Sequence, residues 1–382
     1  MIFLKTILNK DISNYYYMVK DLQDLLTSKN IDFIHSVYIY GSFARDEIIP
    51  GLSDLDVMFF VNKEKISNEN LLLINELNST IRQKYDIPMV FRIHNLDELS
   101  SKIISEDLFV PYLFDLTINS FCIFGERIEY KFVEMLKNKS KEDFFYELQT
   151  TFYVLKQNFY DAYFISDKYK MSDVIYDFYR ILNLFGVNFD FKLENSFKVK
   201  ENVDKNTTES LLSIFSKIYS IYNEFNFEKL FEDIKQLNVL VGLARGGILY
   251  NLEHKKVLVI EHSFGGGGWW AYPKGGVEKG EFDDPSLTIK REIAEEVGIT
   301  DVKIDLDKLF EINHYFKKSN YVYRKTKTEF FSVFCNTSQV VLSEEHNSFL
   351  WLNPSEVPNY VTSNGLKFVL DVFLKKHGIV YE

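Results

Sequence analysis

Gly275-Gly276-Val277-Glu278-Lys279-Gly280-Glu281, followed after nine intervening residues by Arg291-Glu292-Ile293-Ala294-Glu295-Glu296-Val297-Gly298-Ile299, decides how the second half of this chain reads. Asp284 can cap a helix whose first residue is Pro285, and Gly298 can end it. Ile289, Ile293 and Val297 recur every four residues and face a core. Glu292, Glu295 and Glu296 fall at i, i+3 and i+4, so their carboxylates converge on another face. Clustered carboxylates repel one another unless a cation sits among them. Mg²⁺ prefers oxygen ligands and also binds substrate phosphates, which polarises phosphorus–oxygen bonds and activates a water nucleophile. An E-x-x-E-E pattern alone is a routine solvated helix face. The glycines, the arginine and the two caps together make it a site.

These residues resemble the Nudix box. The box has seven residues between its glutamate and its Arg-Glu. Here nine separate Glu281 from Arg291, and the extra two fall in the loop before the helix. The flanks are similar too: Ala244 to Tyr250 looks like the first strand, Trp270 to Gly275 like the entry to the box, and Glu345 to Leu352 like the late strand. The resemblance implies an α/β/α sandwich with a mixed sheet and a Mg²⁺-dependent hydrolase, with Mn²⁺ as substitute. It implies Glu292, Glu295 and Glu296 as metal ligands, with Arg291 orienting a glutamate. Glu281 would complete the metal site or assist the base, and Gly275 and Gly276 would approach the nucleotide. The implied reaction is cleavage of a phosphoanhydride in a nucleoside diphosphate linked to another moiety.

The amino-terminal part reads as a small α/β unit. A helix over 11–29 precedes a strand, Ser36 to Tyr40, that breaks at Gly41-Ser42-Phe43-Ala44-Arg45. A second strand runs from Leu55 to Val61, a helix covers 68–85, a third strand covers 88–93, and the unit ends near Gly125. Backbone amides at Gly41 and Ser42 can cradle a triphosphate, with the Ser42 hydroxyl as a further donor. Twelve residues after Ser42 comes Asp54-Leu55-Asp56, whose alternation puts both aspartates on one face, ready for Mg²⁺.

This second constellation resembles the nucleotidyltransferase superfamily related to polymerase beta, in its small-molecule and antibiotic-modifying form. The resemblance implies that Gly41, Ser42 and Arg45 bind nucleotide and that Asp54 and Asp56 hold metal. It implies nucleotidyl transfer from an NTP to a hydroxyl acceptor by in-line attack on the α-phosphorus. The family often places a third carboxylate on a later strand, and Ile87 to His94 contains none. Either Asp86 substitutes, or the base comes from the helical region, or this half binds nucleotide without catalysis.

Between the two lie three apolar stripes at helical spacing: Phe145/Leu148/Phe152/Leu155/Phe159, Val174/Phe178/Ile181/Phe185 and Leu211/Phe215/Ile218/Tyr222. Asn195 to Thr208 is polar and reads as a loop. The expected organisation is therefore an α/β multidomain chain. A nucleotidyltransferase domain spans 1–128, a helical domain 129–236 and a Nudix domain 237–382.

The bulk numbers bound the alternatives. A net charge of −11 argues against a free basic surface for nucleic acid. Two distant cysteines make no disulfide framework and fit a reducing, cytoplasmic compartment. No apolar run is long enough to span a bilayer, and Met1 to Lys5 is too short in apolar content for a signal peptide. The seven histidines show no zinc-site spacing and read as surface or satisfied residues. Of Trp269 and Trp270, one is expected in the core, and contact of the other with substrate stays open. Gly265 to Gly268 lacks the Gly-Lys-Ser/Thr of a phosphate loop and reads as a strand connection. Nucleotide small molecules are the expected partners. Two further readings stay open: a Nudix hydrolase with a non-catalytic nucleotidyltransferase-like module, and a nucleotide-sensing regulator.

Overall fold

The computed structural model describes residues 10–29, 31–62, 64, 67–100, 108–263, 268–319 and 321–380. The readings of Met1 to Lys5 and of Gly265 to Gly267 lie outside them. The chain folds into two compact units. One comprises Met1–Leu22, Leu240–Phe316 and Arg324–Glu382, and the other Gln23–Val239 and Lys317–Tyr323.

After α1 (Lys10–Ser28), a four-stranded sheet forms from β1 (Ile34–Tyr40), β2 (Leu55–Val61), β3 (Met89–Asn95) and β4 (Phe121–Gly125), in the order β3-β2-β1-β4. Strand β1 is antiparallel to β2 and β4, whereas β2 and β3 are parallel through α3 (Asn68–Tyr85). Strand β1 passes directly into α2 (Gly41–Ala44). The register Tyr40↔Asp56 sets that turn against the start of β2. Gly41 makes the turn at φ +71°, and a Cβ there would stand 2.0 Å from Asp56 Oδ2. Only glycine fits both demands. The apolar α4 (Val110–Asn119) carries one acid, Asp115.

Helices α5 (Glu129–Asn138), α6 (Lys141–Phe164), α7 (Lys168–Leu184), α8 (Lys200–Val203), α9 (Thr208–Glu224) and α10 (Phe227–Ile234) follow. Ser140, Asp167, Thr207 and Asn226 accept backbone N–H groups at the starts of α6, α7, α9 and α10. The predicted stripes interlock: Phe159 stacks on Phe215 at 3.8 Å, and Phe152 packs on Phe178 at 4.7 Å. The stretch 195–208 departs from the expected loop. It holds a 3₁₀ turn (Asn195–Lys198) and then α8. Buried Val203 anchors it, and Lys198 ties it to Asp173 and Asp177 of α7 at 2.8 and 3.1 Å.

The second sheet has seven strands: β5 (Asn238–Asn251), β6 (Lys256–His262), β7 (Trp269–Ala271), β8 (Lys274–Gly276), β9 (Lys303–Ser319), β10 (Val322–Cys335) and β11 (His346–Leu352). Their order is β11-β6-β5-β10-β9, with β7 on β6 and β8 on β5. Alternation along β10 sorts the two faces. Phe331, Val333 and Cys335 join a core with Ile289, Ile293 and Val297 of α11 (Pro285–Val297). On the opposite face, Phe334 meets Phe373 of α12 (Asn364–His377), and Ser332 Oγ lies 2.8 Å from His377 Nε2. The result is a helix–sheet–helix sandwich. Burial of each of those three α11 aliphatics stabilises by about 1.5–3 kcal/mol. Asp284 accepts from Ser286 N at one end of α11, and Gly298 closes the other at φ +71°. The expected burial of one tryptophan does not hold. Trp269 is 40% exposed and Trp270 is half-buried against Tyr360, because β7 enters the core only at Ala271.

Candidate active sites

The first site forms where β8 and the loop after it meet α11. Arg291 is its hub. Its Nε donates to Glu281 Oε1 at 2.8 Å, its Nη1 to Glu292 Oε1 at 2.7 Å and to Glu295 Oε2 at 3.0 Å, and its Nη2 to the Gly276 carbonyl at 2.6 Å. The longer loop therefore still delivers Glu281 to Arg291. Thr288 Oγ1 and Glu278 N donate to Glu281 as well, at 2.9 Å each. The Arg291 hydrogen bond holds the Glu281 carboxyl down at about 2. Glu296 lies one turn on. Lys274 N donates to its Oε2 at 2.8 Å, and His346 Nε2 stands 3.4 Å from its Oε1.

The donor set is all carboxylate oxygen, the ligand type a divalent cation takes. Burial raises the Glu292 carboxyl above its ordinary range against the pull of Arg291, and Glu296 and Glu295 add to the rise. Its one arginine contact thus does not offset its burial and its two glutamate neighbours. Gly275 runs so close that a Cβ there would stand 2.0 Å from the Glu292 carboxyl carbon. Among the described residues, no group of three or more His, Cys, Asp or Glu side chains is arranged to hold a metal ion. Gly275→Ala is expected to push Glu292 aside and lower hydrolysis about 100-fold, with the melting temperature little changed. Steady-state kinetics at saturating Mg²⁺ beside a thermal melt check it, and a near-normal kcat would refute it.

Several residues of this site carried no motif signal. Arg245 of β5 is buried and donates to Glu329 and to the carbonyls of Glu281 and Phe282, at 3.1, 2.7 and 2.8 Å. It clamps the loop that presents Glu281. A charged residue inside an apolar strand was the signal. Lys274 Nζ lies 3.4 Å from His262 Nε2 and 4.9 Å from the Trp269 ring. Burial lowers its pKa, against the pull of Glu296 and Glu292. Burial, then Lys274 and His346, push His262 down to about 3. His262 and His346 are buried beside the site rather than on the surface, because cross-strand pairing places them there.

The second site is a cleft of about 480 Å³ in the other unit. Gly41, Ser42, Arg45, Asp54 and Asp56 line it with Arg92, Asp115, Asp173, Arg180 and Lys198. Burial and then Asp54 raise the Asp56 carboxyl to about 7, although Arg45 and Arg92 oppose this. This aspartate pair thus fits a cation for the same reason as Glu292 does. Arg45 donates to Glu47 and to Asp115 Oδ2, each at 2.8 Å, and Arg180 reaches the same oxygen at 3.0 Å. Burial raises Asp115, but the two guanidinium groups win and hold it below the ordinary carboxylate range.

Strand β3 offers no acid to this cleft. Arg92, paired in register with Met58, stands there and donates to Tyr40 Oη at 2.8 Å. Asp86 caps α3 and lines a separate groove with Arg82 and Pro88. Asp173 of α7 does line the cleft, its side chain 45% exposed and ion-paired with Lys198 at 2.8 Å. No helix among the described residues is long and apolar enough to cross a membrane.

The NUDIX domain profile matches residues 241–371, and the profile of polymerase beta nucleotidyltransferases matches residues 20–110. No curated protein matches. Similar solved structures include a binary complex of an Ap4A hydrolase from C. elegans, at 23% identity over 36% of this chain and 98% of that one, with a TM-score of 0.30. The dihydroneopterin triphosphate pyrophosphohydrolase of E. coli is 17% identical over 36% of this chain and 99% of its own, also at 0.30. A MutT protein from Methanosarcina mazei Go1 is 20% identical over 37% and 98%, again at 0.30. The carboxyl-terminal part of this chain is a NUDIX domain, and its amino-terminal part carries a nucleotidyltransferase domain of the polymerase beta type.

Proposed function

We propose that the chain is a bifunctional enzyme. Its NUDIX domain hydrolyses a phosphoanhydride in a nucleoside diphosphate linked to another moiety. Its amino-terminal cleft transfers a nucleotidyl group from an NTP to a hydroxyl acceptor. The domains proposed are 1–128, 129–236 and 237–382, and the two buried free thiols suit a cytoplasmic setting. The observation that carries the hydrolase reading is the Arg291 fork, which gathers Glu281, Glu292 and Glu295 while a separate backbone amide holds Glu296.

In this reading Glu292, Glu295 and Glu296 hold Mg²⁺, or Mn²⁺ in its place. Bound there, the cation would supply Lewis-acid polarisation of phosphate oxygens and a more acidic water. Arg291 keeps the glutamates ionised and oriented, Glu281 orients Arg291, and Gly275 and Gly276 let substrate approach the backbone. In the cleft, Asp54 and Asp56 hold Mg²⁺, and Gly41, Ser42 and Arg45 face the phosphates. A narrower reading has one support, the absence of an acid on β3 with Arg92 there instead. The cleft would then bind nucleotide without transfer.

Product analysis by mass spectrometry tests both. Wild type, Glu296→Gln and Asp54→Ala would each be offered NTPs, ADP-ribose, dinucleoside polyphosphates and nucleotide sugars with Mg²⁺. Hydroxyl acceptors, aminoglycosides included, would accompany the NTPs. Asp54→Ala is expected to spare hydrolysis and abolish transfer. Transfer that survives Asp54→Ala would refute the cleft assignment. Transfer absent from wild type as well would leave the narrower reading. No cleavage of any compound by wild type would refute the hydrolase and favour a nucleotide sensor.

A further inference from the structure

We infer that His346 is a positioning residue for Glu296, held by a row of rings across three strands. The inference rests on α11 being a divalent-metal site. Strand β11 pairs with β6 at His346↔His262, and β6 pairs with β7 at His262↔Trp269. The three rings therefore stand side by side, with centroids 4.8 and 4.5 Å apart. Trp269 ends the row at the surface, and the fully buried His346 side chain ends it at Glu296.

The chain before β11 is stitched to the last turn of α11. Ser343 N donates to the Glu296 carbonyl at 3.1 Å, and Val341 N to the Val297 carbonyl at 3.0 Å. The same Ser343 places its Oγ 3.0 Å from His346 Nδ1. Two tautomers are conceivable. With the proton on Nδ1, the Nε2 lone pair would face the carboxylate oxygen 3.4 Å away, which is repulsive. With the Ser343 hydroxyl donating to Nδ1, the proton sits on Nε2, 3.4 Å from Glu296 Oε1, where it attracts the carboxylate without an aligned hydrogen bond. Electrostatics selects the second.

Glu296 is then held by a hydrogen bond from Lys274 N at Oε2 and by the ion-pair contact of His346 Nε2, which stands 3.4 Å from Oε1 and is buried with no hydrogen-bond partner of its own. The two contacts bias the carboxylate's rotation and leave lone pairs on both oxygens for a cation. Such outer partners typically govern metal affinity as much as geometry. A histidine that merely fills space would be replaceable by phenylalanine, which has the same ring bulk and no donor.

The test uses the full chain with Asp54→Asn and Asp56→Asn, so that Mn²⁺ titrates the α11 site alone. Free Mn²⁺ is followed by electron paramagnetic resonance. His346→Phe is expected to weaken Mn²⁺ binding by about 10- to 100-fold. His346→Gln, whose amide nitrogen falls near Nε2, restores most of it. Affinity for His346→Phe within about twofold of its parent overturns the inference, because the scale expected of an outer partner is tenfold or more. If the parent shows no Mn²⁺ binding that Glu296→Gln removes, the metal reading fails and this inference with it. Should His346→Phe not fold, Ser343→Ala carries the test, with about tenfold weaker binding expected and unchanged binding refuting it.

Discussion

Glu296→Gln is expected to slow phosphoanhydride hydrolysis by about a thousandfold while leaving the fold intact. Glutamine has nearly the same volume, and its carbonyl oxygen can still accept from Lys274 N. What it lacks is the charge. Its amide nitrogen must also meet either Lys274 N–H or His346, both of which face a carboxylate oxygen now. A metal ligand that stabilises developing charge contributes several kcal/mol, and about 4 kcal/mol is a thousandfold in rate. The loss should fall on kcat and on the Mg²⁺ requirement. Rates measured across a Mg²⁺ series check this. A kcat within about tenfold of wild type, which is only ~1.4 kcal/mol, would remove Glu296 from the chemistry.

Asp115→Ala is expected to destabilise the amino-terminal unit by about 3 kcal/mol, because it removes the carboxylate that two half-buried guanidinium groups share, leaving Arg45 with Glu47 alone. Arg45 and Arg180 converge on one Asp115 oxygen at 2.8 and 3.0 Å, and the Asn119 amide donates to the other at 2.5 Å. For a unit of this size the shift in melting temperature is about 10 °C, measurable by calorimetry. The pH dependence has a definite sign. The folded carboxyl lies below its unfolded value near 3.9, so its contribution is complete above about pH 4. It is lost as pH falls through the lower folded value. The stability gap between wild type and Asp115→Asn should therefore hold from neutral pH down to about pH 4 and then narrow. A gap that instead closes on going from pH 5 to pH 8 would contradict the assignment.

Legibility differed along the chain for physical reasons. Helix α11 could be read almost residue by residue, since caps, aliphatic period and carboxylate spacing all act within one helix. The turn at Gly41 and the start of β2 were equally plain, because a β1–β2 hairpin is local. What could not be read was set by distant pairing. His262 and His346 carry no local pattern, and only the β6–β11 register makes them neighbours. Asp115 left one trace, a single acid in the otherwise apolar α4, whose partners Arg45 and Arg180 come from other elements. The length of the loop after Glu281 was misleading in the other direction. Counting residues cannot show that a clamp at Arg245 absorbs the excess.

That clamp divides labour along the loop. Arg245 grips the carbonyls of Glu281 and Phe282, and Asp284 sets the first turn of α11. Between grip and cap lies only Asp283, exposed, beside a Phe282 that is 59% exposed. The glutamate before the loop is held from both sides, its carbonyl by Arg245 of β5 and its carboxylate by Thr288 and Arg291 of α11. Asp284 N donates to the same carbonyl at 3.3 Å, so a turn closes across Phe282–Asp283 and fixes the chain length there. What stays variable is the pair of exposed side chains at its tip, and a fluorophore carried on either would report from the rim of the site without breaking the turn.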